Sequence, residues 1–62
     1  MTSDEFAAIR RQLGLSQVKL AEIMGIHNGE ISRIETGERK PTRLHAAFIR
    51  YIRDNPPTAA PR

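Results

Sequence analysis

The sequence predicts a compact all-α domain of four or five helices, and three observations predict it. Apolar residues recur at three- and four-residue spacing along most of the chain, and no stretch alternates with the period of two that marks a strand. Helix start and stop signals fall at regular intervals, with Thr2, Ser16 and Thr42 placed as N-caps and Gly14, Gly25 and Gly37 placed as terminators. Between Gln17 and Thr36, a small residue (Ala21), a glycine at a sharp bend (Gly25) and an inward apolar residue on an otherwise polar stretch (Ile31) suit two short helices crossing steeply. A chain of 62 residues holds one domain with a small core. The domain is placed at residues 1–55, followed by a Pro/Ala tail at 56–62 expected to be disordered.

The first helix is expected from Ser3 to Leu13. Thr2 and Glu5 have capping-box spacing, Asp4 and Glu5 suit the positive end of the helix dipole, and Phe6, Ile9 and Leu13 form its apolar stripe. Gly14 ends it, and Leu15 is expected to plug the core. The second helix runs from Gln17 to Met24, capped by Ser16, with Val18, Leu20, Ala21 and Met24 as its apolar contacts. The third begins near Asn28 and stops at Gly37. With Asn28 at 0°, Ile31 and Ile34 fall at about 300° and 240°, whereas Asn28, Ser32, Thr36, Gly29 and Arg33 fall between about 0° and 140°. The first pair is the buried side and the second group the exposed one, with Glu30 at the border. The fourth helix, capped by Thr42, reaches Asp54 and ends at Asn55-Pro56-Pro57. Leu44, Ala47, Phe48, Tyr51 and Ile52 give it an i, i+3, i+4, i+7, i+8 core face, which leaves Ile49 for a contact outside the domain.

Composition excludes several classes of function. There is no cysteine, hence no disulfide framework or cysteine-based zinc site, and His27 and His45 are too far apart for a helical metal pair. No metal or other cofactor is expected. No apolar run approaches the ~20 residues of a membrane span, and Met-Thr-Ser-Asp-Glu lacks the basic start of a secretory signal, so a soluble cytoplasmic chain is expected. Paired carboxylates, nucleophile–base pairs and metal-ligand spacing are all missing, which argues against an enzyme with a small-molecule substrate. The net charge of +3 is unevenly spread. Residues 1–30 hold three Lys/Arg against four Asp/Glu, whereas residues 31–62 hold seven against three. A basic excess that starts in the third helix and continues past it suits a polyanion, the alternative being a solvated basic surface.

Two steeply crossed helices that expose the outer face of the second have the geometry of a helix-turn-helix, whose second helix enters the DNA major groove. The exposed arc carries the chemistry that such a groove reads. The Asn28 amide suits adenine N6/N7, the planar Arg33 fork suits guanine O6/N7, and Ser32 can donate or accept. Gly29 reads nothing itself but lets the backbone approach closely. Glu30 suits cytosine N4 or a helix cap. Gln17 opens the second helix, where its amide and free backbone N–H groups can hold a phosphate. Thr36, Arg39, Lys40 and Arg43 flank the end of the motif and are placed on phosphates, the alternative being solvated surface. Arg10 sits beside Ile9 and Leu13 and needs a partner there, which is assigned to Glu35.

The chain resembles the lambda-repressor-like (Cro/CI, or XRE) helix-turn-helix family from about Phe6 to Phe48. The residues that carry the resemblance are Arg10, Leu13-Gly14-Leu15-Ser16-Gln17, Leu20-Ala21, Met24-Gly25, Ile31-Ser32-Arg33-Ile34-Glu35-Thr36-Gly37 and Lys40-Pro41. The resemblance implies base reading from the first turn of the third helix and one residue a turn later, which maps to Asn28, Gly29 and Arg33. It also implies a phosphate grip at Gln17 and an inter-helix ion pair at Arg10 and Glu35. Two departures stand out. His27 and Gly29 occupy positions where the family often has a Ser or Thr cap and a longer side chain, and one longer fourth helix stands where most members have a fifth.

These readings converge on a cytoplasmic, non-enzymatic regulator that binds double-stranded DNA, most simply a homodimeric repressor on a palindromic operator. The resemblance suits a phage or mobile-element regulator, including the small repressors that accompany anti-CRISPR genes. Ile49 and Ile52 are expected at the dimer interface. Two rivals remain open: an antitoxin-type regulator that also binds a protein toxin, for which only the short tail is left over, and a protein-interaction bundle that never touches DNA.

Overall fold

In the computed structural model, residues 1–56 are described, and four helices account for most of them. They are α1 (Ser3–Gln12), α2 (Gln17–Met24), α3 (Asn28–Thr36) and α4 (Arg43–Asp54). The domain is all-α, as the periodicity predicts. Apart from Pro56, the Pro/Ala tail lies outside the described residues.

Each helix begins where its cap signal stands. At α1 the Glu5 amide donates to the Thr2 hydroxyl oxygen at 3.1 Å and the Thr2 amide donates to the Glu5 carboxylate at 2.8 Å, a complete capping box. At α2 the Ser16 hydroxyl oxygen accepts from the Lys19 amide at 3.0 Å. At α4 Thr42 and His45 form a reciprocal pair at 3.1 Å in each direction, with imidazole Nδ1 in the place usually taken by Glu or Gln. Gly25 and Gly37 terminate α2 and α3 with φ of +74° and +87°, a backbone conformation that costs a side-chain-bearing residue ~1–2 kcal/mol.

The core gathers Phe6 and Ile9 from α1, Leu15 from the first connection, Leu20 and Ala21 from α2, Ile31 and Ile34 from α3, and Ile49 and Ile52 from α4. Helix α3 packs against both α1 and α2, and α4 packs against α1. Burying a large apolar side chain in this way contributes ~1.5–3 kcal/mol each, and Phe6, Leu20, Ile31, Ile34 and Ile49 are wholly buried. The small Ala21, 3% exposed, lies in the α2–α3 half of that core.

Two expectations about the core are corrected. Val18 is 53% exposed rather than part of the core, because it lies about 160° and 120° around α2 from Leu20 and Met24. The larger correction concerns α4. Leu44 (81% exposed), Tyr51 (65%), Phe48 (38%) and Ala47 face outward, whereas Ala46, Ile49 and Ile52 are buried. Ile49 and Ile52 therefore sit in the domain's own core and cannot form a dimer interface. With Leu44 at 0°, the outward group spans about 300° to 40° and the inward group about 80° to 200°. Both arcs are apolar, so polarity does not choose between them. The inward one carries an alanine and two β-branched side chains, a compact set for the crossing over α1.

Candidate nucleic-acid interface

Helix α3 is held from behind by Ile31 and Ile34, both wholly buried. That clamp turns Asn28, Arg33 and Thr36 to solvent and leaves Gly29, Glu30 and Ser32 half-buried at the margins. The Arg33 side chain is exposed and enters no ion pair among the described residues. A guanidinium presented in this way keeps its donors for a partner outside the chain. The Thr36 hydroxyl donates back to the Arg33 carbonyl at 3.1 Å, so its oxygen remains as an acceptor but its proton is committed.

The N-terminus of α3 is built by a residue that the sequence reading left without a role. His27 is the N-cap, and its Nδ1 accepts from the Gly29 amide at 2.9 Å. Only an unprotonated Nδ1 accepts, so the neutral ring carries its proton on Nε2, a donor at the exposed start of α3. A Cβ at position 29 would stand 3.0 Å from that Nδ1. The missing side chain at Gly29 thus has a reason within the fold. Positions 27 and 29 form one device, a histidine cap and a glycine that makes room for it. The available signal was a histidine two residues before a glycine, with Ser, Thr, Asn and Asp absent from the capping position.

Helix α3 is tied to α1 and α2 by a half-buried polar cluster. Arg10 Nε donates to Glu35 Oε2 at 2.5 Å and Arg10 Nη2 donates to Glu35 Oε1 at 3.0 Å, a fork-to-fork pair whose side chains are 14% and 7% exposed. Arg10 Nη1 donates further to the Leu15 carbonyl at 2.8 Å, fixing the first connection. Gln17 Nε2 donates to Glu35 Oε1 at 3.1 Å. Burial pushes the Glu35 carboxyl up, but the hydrogen bonds from Arg10 and Gln17 and the Arg10 charge outweigh it, and the group titrates below the ordinary carboxylate value. With its amide nitrogen held by Glu35, the Gln17 side chain lies across the start of α2 rather than swinging free in solvent.

Beyond α3 the chain turns at Gly37 and comes back along the helix. The Arg39 amide donates to the Arg33 carbonyl at 3.1 Å, and the Arg39 guanidinium pairs with the Glu30 carboxylate. Glu30, open in the sequence between a cytosine contact and a helix cap, and Arg39, placed there on a phosphate, thus meet each other. Arg33 on α3, and Lys40 and Arg43 that follow it in the chain, are exposed cations without an ion pair among the described residues. Among the described residues no group of three His, Asp or Glu side chains is placed to hold a metal ion, and no helix is long and apolar enough to cross a membrane.

A family model described as helix-turn-helix matches residues 6–47, well over half of the chain, from α1 into the first half of α4. Comparison with curated proteins and with solved structures gives no match.

Proposed function

The chain belongs to the helix-turn-helix family of DNA-binding domains, and from that premise we propose that it is a sequence-specific transcriptional repressor acting as a homodimer on a palindromic operator. The observation that carries this reading is the outward arc of α3. Its polar side chains stand on a helix whose other side is fully engaged in the core. Docked in a major groove, Arg33 takes a guanine edge, Asn28 an adenine edge, and Ser32 a neighbouring position. Gly29 lets the backbone approach the bases. Lys40 and Arg43 neutralise phosphates, joined by Thr36 through its hydroxyl oxygen and by Gln17 at the start of α2. Arg39 joins them only by leaving Glu30. Repression follows by occlusion of a promoter, with no bond made or broken and no cofactor required. A dimer presents two copies of α3 ~34 Å apart and doubles the phosphate contacts, which a chain with ten Lys/Arg needs for tight binding. The likeness to small phage and mobile-element repressors belongs to the same proposal.

The test is selection of binding sites from a random duplex pool, followed by gel shift on the selected site and on the promoter upstream of the chain's own gene. A palindromic consensus bound ~10³-fold or more over random duplex at physiological salt is expected. Equal binding to all sequences would reduce the protein to a non-specific DNA binder.

A further inference from the structure

Helix α4 has an uncovered apolar side. Leu44, Ala47, Phe48 and Tyr51 line one shallow apolar surface, and a second groove, lined by Met24, Ile26, Thr42, Leu44, His45 and Phe48, adjoins it at Leu44 and Phe48. We propose that the occupant of this surface is a second copy of the chain, whose α4 lies antiparallel on the first about a two-fold axis between Ala47 and Phe48. This deepens the homodimer reading above and rests on it, and it replaces Ile49 and Ile52 by the opposite side of the helix.

The register comes from the sequence of the exposed side. Ala47 and Phe48 flank the midpoint, and Leu44 and Tyr51 lie equally far from it, ~5 Å along the axis in either direction. An antiparallel pairing about that midpoint sets Tyr51 of one copy against Leu44 of the other, a contact occurring twice, and brings the two small Ala47 side chains together on one edge of the axis and the two Phe48 rings together on the other. An isologous interface requires such a self-complementary pattern. The second groove lies beside Leu44, where the ring of Tyr51 from the second copy arrives, which gives a side chain 65% exposed in one copy an apolar bed in two.

Charge agrees with the same register. Arg43 and Asp54 lie on one edge of the exposed side, at about 260° and 280° from Leu44, and stand about 7 Å and 10 Å along the axis on either side of the midpoint. Antiparallel pairing leaves Arg43 of each copy about 3 Å along the axis from Asp54 of the other, within reach of a long side chain whose remaining donors stay available for the phosphate assigned to Arg43 above. Arg43 enters no ion pair among the described residues, and Asp54 meets only its exposed neighbour Arg53, at 3.4 Å. Area sets the strength. Four side chains from one helix, with a groove beside them, fall short of the ~800 Å² per partner of a stable interface. The dimer is therefore a weak one that the two half-sites of an operator complete.

The test uses the full chain, which has no cysteine of its own. Ala47→Cys places two thiols beside the two-fold axis and is expected to give a disulfide-linked dimer under mild oxidation, with the yield rising on palindromic DNA. Leu44→Cys places them ~10 Å apart along the axis and is expected to give none, while Leu44→Cys with Tyr51→Cys restores the cross-link. In sedimentation, Leu44→Glu is expected to weaken wild-type self-association at least tenfold with no change in helical circular dichroism, because Leu44 is exposed in the single domain. Association that withstands Leu44→Glu, together with no cross-link at Ala47→Cys, moves the interface elsewhere and overturns this inference while leaving a homodimer in place. A wild-type chain that stays monomeric at hundreds of micromolar, and binds one half-site as tightly as a palindrome, overturns both. An Ala47→Cys chain that cross-links only to a different protein assigns the surface to that partner and overturns the inference as well.

Discussion

Helices α3 and α4 are both two-faced, but they teach different things. Helix α3 buries two isoleucines and shows polar side chains, so its outward side is a surface water already satisfies and a groove can read. Helix α4 buries Ala46, Ile49 and Ile52 and shows Leu44, Phe48 and Tyr51, so its outward side is one that water does not satisfy. In α3 the contrast of polarity alone tells inside from outside. In α4 there is no such contrast between the competing arcs, and shape decides. The same difference assigns their work: α3 offers hydrogen-bond donors and acceptors to a polar partner, α4 offers apolar area to an apolar one.

The sharpest break of this comparison lies within α4. Ile49→Ala removes a wholly buried side chain and is expected to cost ~2–5 kcal/mol, enough to unfold much of a small domain at 25 °C. Leu44→Ala, measured in dilute solution without DNA, is expected to change stability by no more than ~0.5 kcal/mol. Denaturant titration of both variants checks the order, and a reversed order would return Leu44 to the core.

The next effect tests what anchors α3. Glu35→Ala leaves Arg10 largely buried without its partner and is expected to cost ~3 kcal/mol, with a double-mutant cycle against Arg10→Ala showing strong coupling. The same pair sets an acid limit. Because the folded Glu35 carboxyl titrates below its unfolded value, its contribution is complete above the unfolded value of ~4.3 and is lost as the pH falls through the folded one. Glu35→Gln should flatten that part of the stability–pH curve; an unaltered acid limb would place the lost protonation sites elsewhere.

Arg33→Ala probes the outward side of α3 without touching the fold. It is expected to lose ~1–3 kcal/mol on operator DNA and to relax preference at one position per half-site. Equal losses on operator and random duplex would assign Arg33 to phosphate. The smallest effect separates two neighbouring cations. Lys40→Ala should lower the slope of log K against log salt by about 1 per site. Arg39→Ala should lower it by less, since the free chain already holds Arg39 on Glu30. Equal slopes for the two variants would show that Arg39 leaves Glu30 for the DNA backbone.

Much of this architecture is legible in the residues taken one after another. The Thr2, Ser16 and Thr42 caps, the glycine terminators and the spacing of apolar residues mark four helices within a residue of where they stand, because caps and turns are local chemistry. The inward Ile31 and Ile34 and the outward Arg33 were readable because a helix with one polar and one apolar side has one way to sit. The histidine cap was not readable from spacing alone. It depends on the χ angles that bring Nδ1 over the Gly29 amide, and on the absence of a Cβ there.

What the sequence by itself determined is where helices begin and end and which side of α3 faces water, since both follow from interactions within a turn or two of chain. Tertiary structure alone decided which apolar arc of α4 is core, that Glu30 engages Arg39, and that Gln17 joins the Arg10–Glu35 pair. Those outcomes turn on the space that one helix leaves for another and on distances between residues far apart in the chain, and such distances exist only once the helices have packed.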